Sequence, residues 1–225
     1  MAIADSIRQI RSTLPPHVRL VAVSKTKPPE DMMEAYGAGQ RLFGENKAQE
    51  LAAKHPRMPA DTEWHFIGHL QTNKVKIIAS LVSMIHSVDS LRLLQVIDRE
   101  ASLFGRVIPC LLEFRIAGEE TKFGLSRTEA ETLLRSPEFA RLRHVTIAGV
   151  MGMASFTDDM NQVRSEFRSL RENFEGLKKE FFPGHQGFRE ISMGMSSDYR
   201  IAVEEGSTMV RIGTTIFSER VYPGI

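Results

Sequence analysis

The sequence has little of several features that would point to particular classes of protein. It contains one cysteine, Cys110, among 225 residues, so no disulfide can form within the chain. The 29 basic and 28 acidic residues leave a formal net charge of +1, which favours neither nucleic acid nor an anionic membrane as a partner. No apolar run approaches the roughly 20 residues that a membrane-spanning helix needs, and no signal peptide is recognisable. We therefore expect a globular cytoplasmic protein with no nucleic-acid or membrane partner.

Short apolar runs alternate with helical patterns along the chain. Strands are predicted near residues 19–23, 41–43, 64–67, 84–88, 107–114, 145–150, 188–191 and 208–212. Helices are predicted near 29–38, 46–54, 70–81, 90–104, 126–136, 157–181 and 197–205, with another at 3–14 before the first strand. This alternation favours an α/β protein with one domain over residues 1–225, a (β/α)8 barrel of the TIM type with an extra N-terminal helix. An open, doubly wound sheet is the alternative.

The first predicted strand runs directly into a lysine. Residues 20–23 are apolar and favour a buried strand, and Pro28–Pro29 prevent its continuation. Alternation puts Val21, Val23 and Lys25 on one face, so the amine points inward at the barrel rim if the valines line the interior. A lysine beside apolar walls can lose its proton and attack an aldehyde. On spacing alone, a solvated lysine at the end of a strand is the more common explanation, and this alternative stays open.

The last two strands are followed by residues suited to bind an anion. Ser196 and Ser197 stand before a predicted helix, where free backbone N–H groups and the helix dipole favour a phosphate. Gly213, Thr214 and Thr215 offer accessible amides and hydroxyls after the last strand. Phosphate sites after strands seven and eight recur in this architecture. A serine before a helix is also a common N-cap, which is the simpler explanation of the first pair.

A histidine pair gives no comparable signal. His65 and His69 are four residues apart, but residues 64–67 are predicted to form a strand, so the two side chains would not share a helical face. Without a third ligand nearby, no metal site is predicted.

A lysine and a phosphate cup at one barrel mouth suggest a phosphorylated aldehyde, and pyridoxal 5′-phosphate (PLP) is the common one. Five segments, in order, then make the chain recognisable over essentially its whole length. It resembles the PLP homeostasis protein family, which is related to the N-terminal barrel of alanine racemase. The matching segments are Val21–Pro28 (VAVSKTKP), Phe43–Asn46 (FGEN), Trp64–Lys74 (WHFIGHLQTNK), Ser192–Asp198 (SMGMSSD) and Arg211–Phe217 (RIGTTIF).

The resemblance assigns roles to particular residues. It implies that Lys25 forms a Schiff base with PLP and that Arg211 faces the pyridine nitrogen. Lys27 is the competing lysine, but it precedes a proline and is expected to lie in the loop. The resemblance also implies a set of further cofactor-binding residues, of which the first three lie near the phosphate and the rest line the pocket: Ser192, Gly213, Thr214, Asn46, His69 and Met151.

The resemblance implies a protein that stores, delivers or buffers PLP rather than an efficient enzyme. Arginine has donors only, so a ring nitrogen facing Arg211 stays unprotonated, and PLP is then a weaker electron sink. Alanine racemase adds a base from a separate C-terminal domain, which is not expected within a chain ending at Ile225, and no tyrosine obviously replaces that base. We therefore expect no catalytic residue, a monomer, and apo-forms of PLP-dependent enzymes as partners. The alternative is an amino-acid racemase of low activity.

Overall fold

Eight parallel strands form a closed barrel in a computed structural model that describes residues 2–117 and 123–217. The strands are β1 (Arg19–Val23), β2 (Leu42–Glu45), β3 (Glu63–Phe66), β4 (Met84–Val88), β5 (Ile108–Phe114), β6 (Val145–Gly152), β7 (Glu190–Ser192) and β8 (Met209–Ile212). Each strand pairs with the next, and β8 pairs with β1 to complete the circle. The closed barrel is confirmed, and the open sheet is excluded.

Helices fill the connections between the strands, as a barrel of βα units requires. They are α1 (Ile3–Thr13), α2 (Pro29–Gly37), α3 (Ala48–Lys54), α4 (Val75–Ile78), α5 (Leu91–Ser102), α6 (Arg127–Arg135), α7 (Met160–Phe181), α8 (Tyr199–Glu204) and α9 (Thr214–Phe217). The extra N-terminal helix is confirmed as α1. The prediction of one long helix at 70–81 is wrong, because that segment holds a 3₁₀ turn at Thr72–Lys74 and the single turn α4. No side-chain cap supports either start.

Alternation along the strands divides the core into two layers. The barrel axis is filled by a small cluster that we call the inner core: Val21, Leu42, Met84, Leu111, Ala148, Met151 and Met209. Residues of the opposite parity, such as Leu20, Phe43 and Val210, pack outward against the helices in the larger cluster. Cys110 lies in this outer layer and is fully buried.

Local signals in the sequence set several helix boundaries. Ser126 accepts from the N–H of Glu129, and the Glu129 carboxylate accepts from the N–H of Ser126, which completes the capping box predicted for α6. Pro29 occupies the first turn of α2, where its missing N–H costs no hydrogen bond. Within residues 2–117 and 123–217, no helix is both long and apolar enough to cross a membrane.

Candidate functional site

Lys25 lies at the corner of a tight turn at the carboxyl end of β1. The N–H of Lys27 donates to the carbonyl oxygen of Ser24 at 3.0 Å, which closes the turn around Lys25 and Thr26. Val21, on the same alternation face, is fully buried in the inner core. The face of β1 that carries Val21 therefore points to the barrel axis, as the alternation along the strand predicts. The Lys25 side chain is exposed at the mouth.

The residue after Lys25 has a strained backbone. Thr26 has a φ of 65°, and no other residue except glycine in the described part of the chain has a positive φ. A β-branched residue in this left-handed region costs about 1–3 kcal/mol and persists when its surroundings hold it there. The backbone N–H of Thr26 donates to Oε1 of Glu50 on α3 at 2.5 Å. The turn that carries Lys25 is therefore fixed by a side chain from another element.

Strand β8, the neighbour of β1 in the closed sheet, contributes Arg211. Its Cα pairs with that of Val21, and its side chain is 4 % exposed. Nη1 donates to the carbonyl oxygen and to Oγ of Ser192 at 2.9 and 2.6 Å, and Nη2 donates to the carbonyl oxygen of Gly152 at 3.1 Å. A guanidinium has five N–H donors, so two remain without an acceptor among the described residues.

A chain of hydrogen bonds leads from Arg211 across the barrel. Oγ of Ser192 lies 3.0 Å from Nδ1 of His86, and Nε2 of His86 lies 2.8 Å from Nδ1 of His65. Arginine can only donate, so the Ser192 oxygen accepts from Arg211. That oxygen has a second lone pair as well as its own O–H, so it can either donate to His86 or accept from it. The directions of the Ser192–His86 and His86–His65 hydrogen bonds therefore both follow the tautomer of His86.

Burial keeps both histidines of this chain neutral. Burial lowers the pKa of His65 to about 3, and the charge of Arg19 acts in the same direction. Burial, with the charges of His65 and Arg211, lowers the pKa of His86 well below its usual range. The layer between the inner core and the mouth is therefore polar, hydrogen-bonded and uncharged except at Arg211.

Glu113 places a titratable carboxyl beside this layer. Burial and the charge of Asp89 raise its pKa to about 7, while the charge of Arg211 opposes the shift. Its Oε2 is buried and has no hydrogen-bond partner among the described residues. Burial lowers the pKa of Arg211 to about 10, opposed by Glu113 and Asp198. The guanidinium is therefore protonated at neutral pH, whereas the carboxyl is near its titration midpoint.

The loops after β2 and β3 bring Asn46 and His69 to the same mouth. Oδ1 of Asn46 is buried without a hydrogen-bond partner in the described part of the chain. The His69 ring stacks on Phe123, with the ring centroids 3.8 Å apart, and its Nδ1 lies 3.6 Å from Oδ2 of Asp89. His65 lies in β3 and points inward, so the two histidines do not share a helical face, as predicted.

The loops after β7 and β8 present backbone amides side by side. The N–H groups of Ser196 and Ser197 have no acceptor among residues 2–117 and 123–217. Thr214 and Thr215 begin α9, where first-turn amides have no acceptor within the helix. A Cβ at Gly213 would lie 3.1 Å from the carbonyl oxygen of Val23, so the β8 loop passes very close to the strand that carries Lys25.

The structure gathers the predicted site residues at one end of the barrel. Lys25, Asn46, His69 and Gly213 lie in loops that follow strands, and Thr214 begins α9. Ser192 is the last residue of β7, and Met151 and Arg211 are the last residues but one of β6 and β8. Ser192 and Arg211 are in direct contact, and Met151 is fully buried beside Ser192 in register.

Three polar residues of this mouth were not predicted as site residues: His65, His86 and Glu113. Alternation within β3, β4 and β5 places each of them inward, on the same parity as the inner core. The alternation in the sequence therefore indicates that these three side chains point into the barrel. Their contacts with one another and with Ser192 depend on which strands lie opposite each other, which the sequence does not show.

Comparison with known proteins gives the chain its relatives. Residues 1–221 match the family described as "Alanine racemase, N-terminal domain". The chain is 41 % identical over 206 residues to the pyridoxal phosphate homeostasis protein of Aquifex aeolicus, covering 91 % of this chain and 88 % of that protein. It is also 41 % identical over 218 residues to the Homo sapiens protein of the same name, covering 91 % and 77 %.

Solved structures agree with the sequence comparison. PipY of Synechococcus elongatus, solved with PLP bound, is 37 % identical and superposes with a TM-score of 0.87, covering 96 % of this chain and 99 % of that one. Alanine racemase from E. faecalis superposes with a TM-score of 0.73 at 13 % identity, covering 98 % and 58 %. The likeness to alanine racemase, at this low identity, shows only that the two proteins share a fold.

Proposed function

The chain belongs to the pyridoxal phosphate homeostasis protein family and, more broadly, to the family of the alanine racemase N-terminal domain, and from this membership we propose that it binds PLP and stores, delivers or buffers it for other proteins. The observation that carries the proposal is the adjacency of β1 and β8, which pairs Arg211 with Val21 and brings Gly213 against Val23, two residues before Lys25. A PLP-bound relative with the same fold supports the choice of ligand.

The residues at the mouth fit the polar parts of the PLP ring. Two N–H donors of Arg211 lack acceptors among the described residues, and a pyridine nitrogen is an acceptor. Oδ1 of Asn46 and Oε2 of Glu113 are buried without partners in the described part of the chain. Buried polar atoms are normally hydrogen-bonded in folded proteins, so these atoms are suited to contact a bound ligand. His69 and Met151 would line the same pocket.

The phosphate would lie against the loops after β7 and β8. The amides of Ser196, Ser197 and Thr214 would offer donors there, and Gly213 stands directly before Thr214. Ser192 already bonds Arg211 and His86; in this proposal it supports the anchoring of the cofactor from below the phosphate loops. Anion binding by clustered backbone amides needs no additional cation.

Lys25 would hold the cofactor covalently. Its neutral amine would form a carbon–nitrogen double bond to the aldehyde carbon, and the aldehyde oxygen would leave as water. When bound in this way, PLP can act as an electron sink for amine chemistry. Arg211 would leave its ring nitrogen unprotonated, which weakens that capacity. The residues therefore favour retention and transfer of PLP over rapid turnover.

The proposal extends to the setting in which the protein works. Residues 1–225 would form one PLP-binding domain, acting as a monomer in the cytoplasm. Apo-forms of PLP-dependent enzymes would receive the cofactor. The single cysteine, Cys110, is buried in the outer layer of the core and takes no part in this scheme.

Borohydride reduction tests the proposed attachment. PLP added to the purified protein should give a visible absorption band that disappears on reduction, and peptide mass analysis should then find the pyridoxyl group on Lys25. Lys25→Ala should lose the band, whereas the matched variant Lys27→Ala should keep it. Attachment to Lys27 in the wild-type protein, or no attachment at all, would contradict the proposal.

A further inference from the structure

We infer that a buried ion cluster of Lys54, Glu45 and Glu50 holds the Lys25 turn in the geometry that attachment of the cofactor requires; this inference rests on the proposed function. Lys54 and Glu50 are thus positioning residues, which act through the backbone on either side of Lys25. They belong to α3, and Glu45 ends β2. None of the three belongs to the mouth residues described above as candidates to contact the cofactor.

Lys54 is the centre of the cluster. Its side chain is 8 % exposed, and Nζ donates to the carbonyl oxygen of Ser24 at 2.7 Å, to Oε1 of Glu45 at 2.8 Å and to Oε1 of Glu50 at 2.6 Å. An ammonium group has three donors, and all three are used. A buried cation with every donor satisfied by charged or carbonyl oxygens keeps a defined position.

The cluster holds both neighbours of Lys25. On one side, the carbonyl oxygen of Ser24 accepts from Lys54, and its hydroxyl donates to Oε1 of Glu45 at 2.6 Å. On the other side, the N–H of Thr26 donates to Oε1 of Glu50. Within the described residues, the hydrogen bonds of this turn are made by Ser24 and Thr26 and not by Lys25. The backbone of Lys25 is therefore held through its two neighbours.

The strain at Thr26 explains what the cluster must oppose. A threonine with a φ of 65° relaxes toward a negative φ unless something holds it. Glu50 is the side chain that bonds its N–H, and Lys54 holds Glu50 in place. Removal of the Glu50 carboxylate would let the turn relax and shift Lys25 at its corner.

This arrangement separates attachment from non-covalent binding. Arg211 lies on β8, and the proposed phosphate-binding amides follow β7 and β8. In the described part of the chain, none of these groups forms a hydrogen bond with a member of the cluster. A reacting group displaced by about 1 Å can lose roughly 10²-fold in rate. Loss of the cluster should therefore slow the bond to Lys25 while the phosphate and ring contacts persist.

Two ligands distinguish these effects. The rate of covalent attachment is measured from the visible band after PLP is mixed with apo-protein. Pyridoxine 5′-phosphate, which has an alcohol instead of the aldehyde, reports non-covalent affinity. Glu50→Ala should attach PLP about 10–100-fold more slowly, with unchanged affinity for pyridoxine 5′-phosphate. Glu50→Gln, whose amide oxygen still accepts, should retain most of the wild-type rate. Glu131→Ala removes a comparably exposed carboxylate from an i,i+4 pair on α6 and should change neither quantity.

A glycine at position 26 supplies the second test. Glycine adopts a positive φ without strain, so Thr26→Gly in the Glu50→Ala background should recover much of the attachment rate. A wild-type rate in Glu50→Ala, an equal loss of affinity for pyridoxine 5′-phosphate, or no recovery with Thr26→Gly would overturn the inference. Wild-type protein that attaches no PLP at Lys25 would overturn the proposed function, and the inference with it.

Discussion

Nε2 of His86 and Nδ1 of His65 are hydrogen-bonded across 2.8 Å in the interior of the barrel, and both rings are fully enclosed. Two neutral imidazoles can share one proton in this way, whereas two imidazolium ions cannot, because both nitrogens would then be donors. The pair is a fixed, uncharged support beneath the mouth. It is also the place where acid should first damage the fold.

Acid should destabilise the protein through these histidines. The pKa of His65 is about 3 in the folded chain and about 6.5 in an unfolded one, so the unfolded state binds the proton first. The contribution of the neutral histidines to the free energy of unfolding is complete above about pH 6.5. It is lost as the pH falls below this value, by up to about 1.4 kcal/mol per pH unit for each histidine. Urea unfolding between pH 7 and 4 measures this slope. His65→Gln should make it shallower, whereas the exposed control His17→Gln should leave it unchanged; equal slopes in all three would contradict the prediction.

Glu113 should have the opposite dependence on pH. Its folded pKa of about 7 lies above the roughly 4.5 of an ordinary glutamate, so the folded state binds the proton more tightly. The contribution of protonated Glu113 to the free energy of unfolding is complete below about pH 4.5 and is lost as the pH rises through 7. Glu113→Gln should therefore gain about 1–3 kcal/mol of stability relative to wild type between pH 5 and pH 8. Glu175→Gln, at an exposed position of α7, is the control; a pH-independent difference for Glu113→Gln would refute the assignment.

Ser192→Ala should weaken PLP binding. The change removes the hydroxyl that accepts from Nη1 of Arg211 and forms a hydrogen bond with Nδ1 of His86. Loss of one charge-assisted hydrogen bond costs roughly 1–3 kcal/mol, here through a less well-held Arg211. Equilibrium binding of PLP gives the affinity. Ser102→Ala, which removes a surface hydroxyl from α5, should have no effect, and an unchanged affinity in Ser192→Ala would place the cofactor's anchor elsewhere.

The sequence predicts the architecture well because each βα unit has its own signals. Proline at the start of α2 and the capping box of α6 set helix starts locally, and the apolar runs set the strands. The single turn α4 was mispredicted because an apolar, helix-favouring stretch without a cap gains too little to continue. The alternation of side chains along β1 correctly predicts that Val21 points to the barrel interior. It therefore also indicates the face of the strand that Lys25 continues.

What the sequence could not give is contact between distant elements. Residues 86 and 192 are 106 positions apart, and their hydrogen bond exists because β4 and β7 face each other across the barrel. The bond from Glu50 to the strained Thr26 depends in the same way on how α3 packs against the β1 turn. Such contacts arise when the sheet closes, and no local pattern encodes them.

Racemisation of free amino acids should be negligible. It needs a proton removed on one face of the substrate and returned on the other, from a positioned acid and base. Of the tyrosines, Tyr36 bonds Asp61 and Tyr199 bonds Thr13, so both hydroxyls are already engaged, and Tyr222 lies outside the described residues. Arg211, protonated with a pKa of about 10, would leave PLP a weak electron sink if it faces the ring nitrogen as proposed.

A chiral assay of L-alanine and other L-amino acids with the PLP-loaded protein measures this directly, and Lys25→Ala serves as the blank. Conversion indistinguishable from the blank is expected. Turnover of about 1–10³ per second, the range usual for enzymes, would make the protein a racemase.

The inner core turns the barrel from a tube into a cup. Seven apolar side chains fill the barrel axis, so a ligand cannot pass through the barrel from its amino-terminal end. If PLP binds at the mouth as proposed, it must enter and leave by the same opening. A recipient enzyme would then have to take PLP from the side on which a new PLP molecule would enter, so the two events would occur one after the other.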